Sequence, residues 1–177
     1  MRITTKLVTA VAAAAVVAGV GLAAPAQAAN TAKKSAGVTL ISFDKNLAKF
    51  ASHIHPTDPA KLFGPRLTFP VAGTSGNIVV THSGAFTLGN TPLDNPIVEI
   101  SGKYGTFALS FDGNSIPFFT MAHIKKTVDA KTGATIYEGT LNLTTNQEYV
   151  NLLIQSTAFM ALKPGMGLGK FRTTINR

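Results

Sequence analysis

Between Arg66 and Phe111 the chain runs through five short stretches rich in β-branched and aromatic residues: Leu67–Val71, Asn77–His82, Ala85–Leu88, Ile97–Ser101 and Thr106–Phe111. Gly, Asn, Asp and Pro separate them, and no helical period intervenes, so there is no crossover helix to support parallel pairing. The expected fold is therefore mainly β, an antiparallel sandwich or partly closed barrel, with two short helices placed elsewhere. Asp112-Gly113-Asn114 is a tight-turn signal into Ile116–Lys126, and Lys131-Thr132-Gly133 turns that ribbon back into Thr135–Leu143 as a long hairpin.

The flanks carry the helices. Val38–Phe43 suits a first strand, after which Asp44 is placed to cap a helix whose apolar stripe is Leu47, Phe50, Ala51 and Ile54, with Pro56 and Pro59 stopping it. Thr145 and Glu148 have capping-box spacing and open a second helix with Tyr149, Leu152, Leu153 and Met160 on its buried stripe. Leu168–Ile175 closes the chain as a strand, Leu168, Lys170 and Arg172 on one face and Gly169, Phe171 and Thr173 on the other.

Arg2 and Lys6 precede an apolar run from Leu7 to Ala24 that ends in Pro25-Ala26-Gln27-Ala28. This pattern predicts a secretory signal peptide over residues 1–28, a flexible tail over 29–36 and a single domain over 37–177. The protein is expected to be secreted and at most loosely attached to the cell wall, with no membrane span after cleavage. The chain holds 16 Lys and Arg against 8 Asp and Glu, and the excess survives removal of Arg2 and Lys6. Such a charge serves solubility alone, or it draws the protein weakly to anionic material such as cell-wall polymers, headgroups or nucleic acid through a field that salt screens. No motif points to a specific nucleic-acid partner.

Cysteine is absent, which excludes disulfides, thiolate metal sites and cysteine nucleophiles. Gly73-Thr74-Ser75-Gly76-Asn77 fails the nucleophile elbow at its last position, and Gly165-Met166-Gly167-Leu168-Gly169-Lys170 lacks the phosphate-loop spacing. The acids are scattered through turns and caps, so no carboxylate pair for acid–base work is indicated and the chain reads as a non-enzyme. His53-Ile54-His55 places two imidazoles on one side of an extended backbone, the start of a metal site or simply two polar loop residues. His123 falls on the hairpin as a solvent-facing residue.

Gly76-Asn77-Ile78-Val79-Val80-Thr81-His82-Ser83-Gly84-Ala85-Phe86, followed by Asn95-Pro96-Ile97-Val98-Glu99-Ile100-Ser101-Gly102 and Gly105-Thr106-Phe107, resembles the HtaA-like domain of secreted actinobacterial proteins. The resemblance implies a haem-binding β module in which a Tyr early in the domain ligates iron and the strand His supports the phenolate. His82 matches that His, whereas Phe50 stands where the Tyr would be. Two functions follow. In one, an apolar cleft of Phe50, Ile54, Phe86 and His82 receives haem, through His53, His55 or His82, or another small hydrophobic ligand. In the other, the protein is a structural or adhesive surface protein with no small-molecule ligand, and His82 is satisfied by a buried hydrogen bond.

Overall fold

The computed structural model describes residues 36–75, 78–157 and 159–176. The expected signal peptide, nearly all of the expected tail, and Gly76 and Asn77 of the matched motif lie outside the described residues. Eleven strands and two helices follow in order: β1 Gly37–Phe43, a 3-10 turn Lys45–Leu47, α1 Ala48–Ala51, β2 Ile54–Thr57, β3 Lys61–Phe63, β4 Arg66–Ser75 and β5 Val79–His82. Next come β6 Ala85–Leu88, β7 Thr91–Ser101, β8 Tyr104–Phe111, β9 Asn114–Val128, β10 Thr135–Leu143, α2 Gln147–Thr157 and β11 Gly167–Ile175.

Eight of these strands close on themselves in the order β4-β1-β11-β10-β9-β8-β7-β5, every pairing antiparallel, while β2, β3 and β6 add outside the ring. The mainly β, antiparallel expectation holds, and the ring is closed rather than partly open. Strand β7 makes closure possible by serving three neighbours: its first residues pair with β6, its last with β5, and β8 runs along its other edge. Ala36 already belongs to the domain, since its amide donates to Val71 at 3.1 Å and its carbonyl accepts from Asn176 at 2.7 Å.

Strand alternation decides what fills the ring. Thr39, Ile41 and Phe43 of β1, Leu67, Phe69 and Val71 of β4, Val80 and His82 of β5, and Phe171 and Thr173 of β11 all point inward and are buried. Eight strands enclose a space just wide enough for side chains to occupy or for one small ligand. Here phenylalanines occupy it, with Phe69, Phe107 and Phe119 in ring-to-ring contact at centroid distances of 5.6–5.8 Å.

Local details depart from the sequence reading where tertiary contacts compete with propensity. The first helix is a single α turn beyond the 3-10 turn, and Asp44 stands at the N-cap without a side-chain cap bond, its amide held by Leu168 in β11 at 2.9 Å. Ile54 is buried as expected but belongs to β2, where Pro56 sits on the outermost strand of the sheet order and therefore removes no interior ladder bond. The cap of α2 is Asn146, not Thr145: its Oδ1 accepts from the amides of Glu148 at 2.9 Å and Tyr149 at 3.4 Å. Val150 and Leu153 carry the helix's buried contact, while Met160 lies past its end and is 78% exposed. Asn146→Ala should therefore cost about 1 kcal/mol of stability, and Thr145→Ala close to nothing, in urea unfolding curves.

On β11 the alternation slips. Leu168 is buried along with Phe171 and Thr173, because the register shifts between Leu141 and Asn142 of the partner strand, and Gly169 takes a φ of +143° at the irregularity. A Cβ at Gly169 would drive into the carbonyl oxygen of Ser42, so only glycine lets β1 approach there. Lys170 and Arg172 remain on the outer face, as expected.

Candidate functional site

His82 ends β5 with its ring inside the barrel and is 7% exposed. A bulge in β7, where the register shifts between Asp94 and Ile97 and Asn95 adopts a φ of +47°, takes Pro96 out of the regular ladder. The Pro96 carbonyl faces the imidazole at 2.9 Å from Nδ1. A carbonyl only accepts, so Nδ1 carries the proton and donates to it. The lone pair of Nε2 then accepts from the Thr39 hydroxyl at 2.7 Å, and Thr39 Oγ1 in turn accepts from the Thr173 hydroxyl at 2.8 Å. Thr39 and Thr173 are 1% and 0% exposed, so the chain Thr173–Thr39–His82–Pro96 ties four strands together inside the core.

Both ring nitrogens of His82 are thus occupied, and no buried side-chain polar atom among the described residues lacks a partner. The rings of Phe69 and Phe107 stand edge-on to the imidazole at 6.0 and 6.4 Å. Desolvation in this apolar shell lowers the His82 pKa from 6.5 to about 4, against the opposing effect of the Pro96 carbonyl. The imidazole is therefore neutral at physiological pH, the state that its hydrogen bonds require.

The other expected cleft residues come together, but around almost no space. Phe50, Ile54 and Phe86 line one apolar void with Phe107 and Phe119, and its volume is about 10 Å³. A void of that size holds at most a single water, whereas pockets for drug-sized ligands run to roughly 300–1,000 Å³. Phe50 is wholly buried, packed against Phe43 at 5.8 Å and Phe159 at 6.0 Å. His82 is not in the lining of this void, from which the Phe69 and Phe107 rings separate it. In this conformation the residues beside His82 do not fit haem: the only lone pair is taken and there is no slot for a porphyrin.

His53 and His55 lie at the surface, on either side of buried Ile54. His53 Nδ1 donates to the Lys49 carbonyl at 2.8 Å, capping the end of α1, and His55 is exposed on β2 opposite Thr87. Among the described residues no third His, Asp or Glu joins them in a metal-binding group. His123 is exposed on β9, as expected, at an irregularity where its φ is +55°. It borders a shallow groove of about 450 Å³ on the outside of the barrel, lined also by Leu40, Lys125, Glu138, Lys170 and Arg172.

The partners of His82 were not foreseen. Thr39 and Thr173 carry the only available signal, hydroxyl residues at inward positions of otherwise apolar strand faces. The groove also went unseen, because its residues come from strands far apart in sequence.

No family model matches the chain, and no curated protein sequence matches it. Among solved structures it is similar to the C-terminal domain of HtaA from Corynebacterium glutamicum, with 14% sequence identity and a TM-score of 0.51. The match covers 80% of this chain and 97% of that domain. At this identity the likeness is one of fold. No helix among the described residues is long and apolar enough to cross a membrane.

Proposed function

We propose that this is a secreted, non-enzymatic binding module that recognises its partner with the outside of a solid barrel, in the manner of an adhesive or structural surface protein. The observation that carries this reading is the filled interior: about 10 Å³ of void beneath Phe50, Ile54 and Phe86, and an imidazole with both nitrogens committed. The HtaA domain is a neighbour in fold, and a shared barrel carries no ligand with it. Where the family resemblance implies a Tyr for iron, this chain has Phe50, which offers no donor atom.

Hemin titration of the domain tests the reading. The expected result is no saturable Soret band at stoichiometric hemin that depends on His82. A band lost in His82→Ala, in a variant still folded by circular dichroism, would overturn it and restore the haem module with an interior site. A band lost instead in a His53→Ala/His55→Ala double variant would put haem on the surface near α1.

A further inference from the structure

Cross-strand register places residues on common outward rows, and two adjacent rows on one side of the barrel are basic. The first runs Lys61 (β3), Thr68 (β4), Leu40 (β1), Arg172 (β11), Glu138 (β10) and Lys125 (β9). The second runs Phe63, Arg66, Ser42, Lys170 and Thr140 on the same strands, with His123 beside its end on β9. Residues directly opposite in an antiparallel ladder share a face, and every cation in these rows is exposed. Lys125, Lys170 and Arg172 line one face of the barrel with a single acid, Glu138, between them, and the rows carry on round the ring to Arg66 on β4 and Lys61 on β3. The other six described lysines share the rest of the domain with seven acids. The net positive charge of the described domain is concentrated on this face.

The face is also concave. The groove of about 450 Å³ lies on it, lined by Lys125, Lys170, Arg172, His123 and Leu40, with Glu138 as the one acid in the lining. One more acid, Asp129, lies close enough to be stabilised slightly by Arg172, but its carboxylate is engaged by the amides of Thr132 and Lys131 at 2.9 and 2.8 Å. Those amides hold its pKa below the usual carboxylate range. Its charge lies beside the groove and outside its lining.

We propose that this groove binds an extended polyanion, a phosphodiester-linked chain without bases, laid across β9, β10, β11 and β1. The spread of cations over neighbouring strands favours an extended occupant. Lys170 and Arg172 are two residues apart on one strand, about 7 Å, while Lys125 and Arg66 each lie two strands from β11, about 10 Å. A flexible chain presents a separate phosphate to each of these charges. The groove's own lining offers bases no exposed aromatic ring, and the exposed aromatics of the second row, Phe63 at 65% and Tyr104 at 68%, stand at its two ends, each three strands from Lys170. The proposal rests on the reading above, that the barrel works from its outside.

The test is fluorescence anisotropy with an abasic deoxyribose-phosphate oligomer and an oligothymidine of equal length, over a salt series. Binding of the abasic oligomer should weaken with salt, with a log–log slope of about −2 to −3 for three or four phosphates at about 0.7 each. Lys170→Glu/Arg172→Glu should weaken it by at least about tenfold and reduce the slope by about 1.4. Lys49→Glu/Lys163→Glu, the same charge change away from the groove, should alter it by less than about threefold. Equal effects of the two pairs would overturn the groove in favour of net charge alone. Much tighter binding of oligothymidine would overturn it in favour of base recognition, and absence of salt-dependent binding would overturn it outright. None of these failures touches the packed interior, which hemin titration reads independently.

Discussion

His82→Ala should lower unfolding stability by about 3–5 kcal/mol at neutral pH, one of the largest effects of any single substitution in this domain. The change removes a buried ring that Phe69 and Phe107 enclose, leaving a void. It also leaves the Pro96 carbonyl and the Thr39 hydroxyl without their partner inside the core, each at a cost of roughly 1–3 kcal/mol. Reduced volume loss should not rescue it: His82→Leu keeps the bulk but still orphans both groups, and should recover less than half of the deficit. Urea unfolding of the three proteins measures this. A loss under about 1 kcal/mol for His82→Ala would mean that the ring is not integrated into the core.

The same environment fixes how stability responds to acid. The His82 pKa is depressed from 6.5 to about 4 on folding, so between those values the unfolded chain binds a proton that the folded one excludes. The His82 contribution is therefore fully present above pH 6.5, falls as pH drops through the window, and is gone below about 4. The total linkage is on the order of 3 kcal/mol, at about 1.4 kcal/mol per pH unit. His82→Leu should flatten this part of the profile.

Phe107→Ala should cost a similar 3–5 kcal/mol, and it asks a different question. Phe107 is 1% exposed and touches Phe69, His82 and Phe119, at the meeting point of the imidazole and the small apolar void. Removing it should join the void to new space large enough for a benzene-sized probe, since apolar cavities lined by aliphatic and aromatic groups stay dry and bind such molecules. The variant is expected to gain thermal stability on adding benzene, while the wild-type protein gains none. Stabilisation of the wild type by benzene would mean that its interior already opens to apolar ligands, which a solid barrel does not do.

The architecture was legible because its signals are local. Turn residues and closely spaced β-rich runs are enough to forecast antiparallel strands, and the Asp112-Gly113-Asn114 turn and the β9–β10 hairpin fall where those residues put them. Closure of the ring was not legible, because it depends on β7 pairing with three strands at once, a property of no single stretch. Helix ends moved as well: Asp44 has the chemistry and the extended backbone of a cap, yet its carboxylate caps nothing, and the helix it opens ends after one α turn while Ile54 joins β2.

For the site, sequence pointed to His82 as a residue in a special setting, and the ring is indeed buried. The sequence could not tell a ligand-facing imidazole from a core one. That distinction rests on Thr39, which precedes His82 by 43 residues, and on a bulge that aims the Pro96 carbonyl inward. Phe50, Ile54 and Phe86 were correctly grouped as neighbours, yet whether neighbours enclose space depends on the volumes of Phe107 and Phe119 packed between them. The outer groove shows the converse. Lys170 and Arg172 were visible on one strand face, but their company of Lys125, Arg66 and Lys61 emerges only once β11, β1, β4 and β3 lie side by side.

The most direct test of the account is the side-chain nitrogen-15 NMR titration of His82, with and without stoichiometric hemin. The account predicts a neutral imidazole with its proton on Nδ1, no protonation until pH approaches about 4, and signals unchanged by hemin. A ring that titrates near its ordinary 6.5, or whose signals shift or broaden at one equivalent of hemin, would contradict the solid barrel and return position 82 to a ligand site.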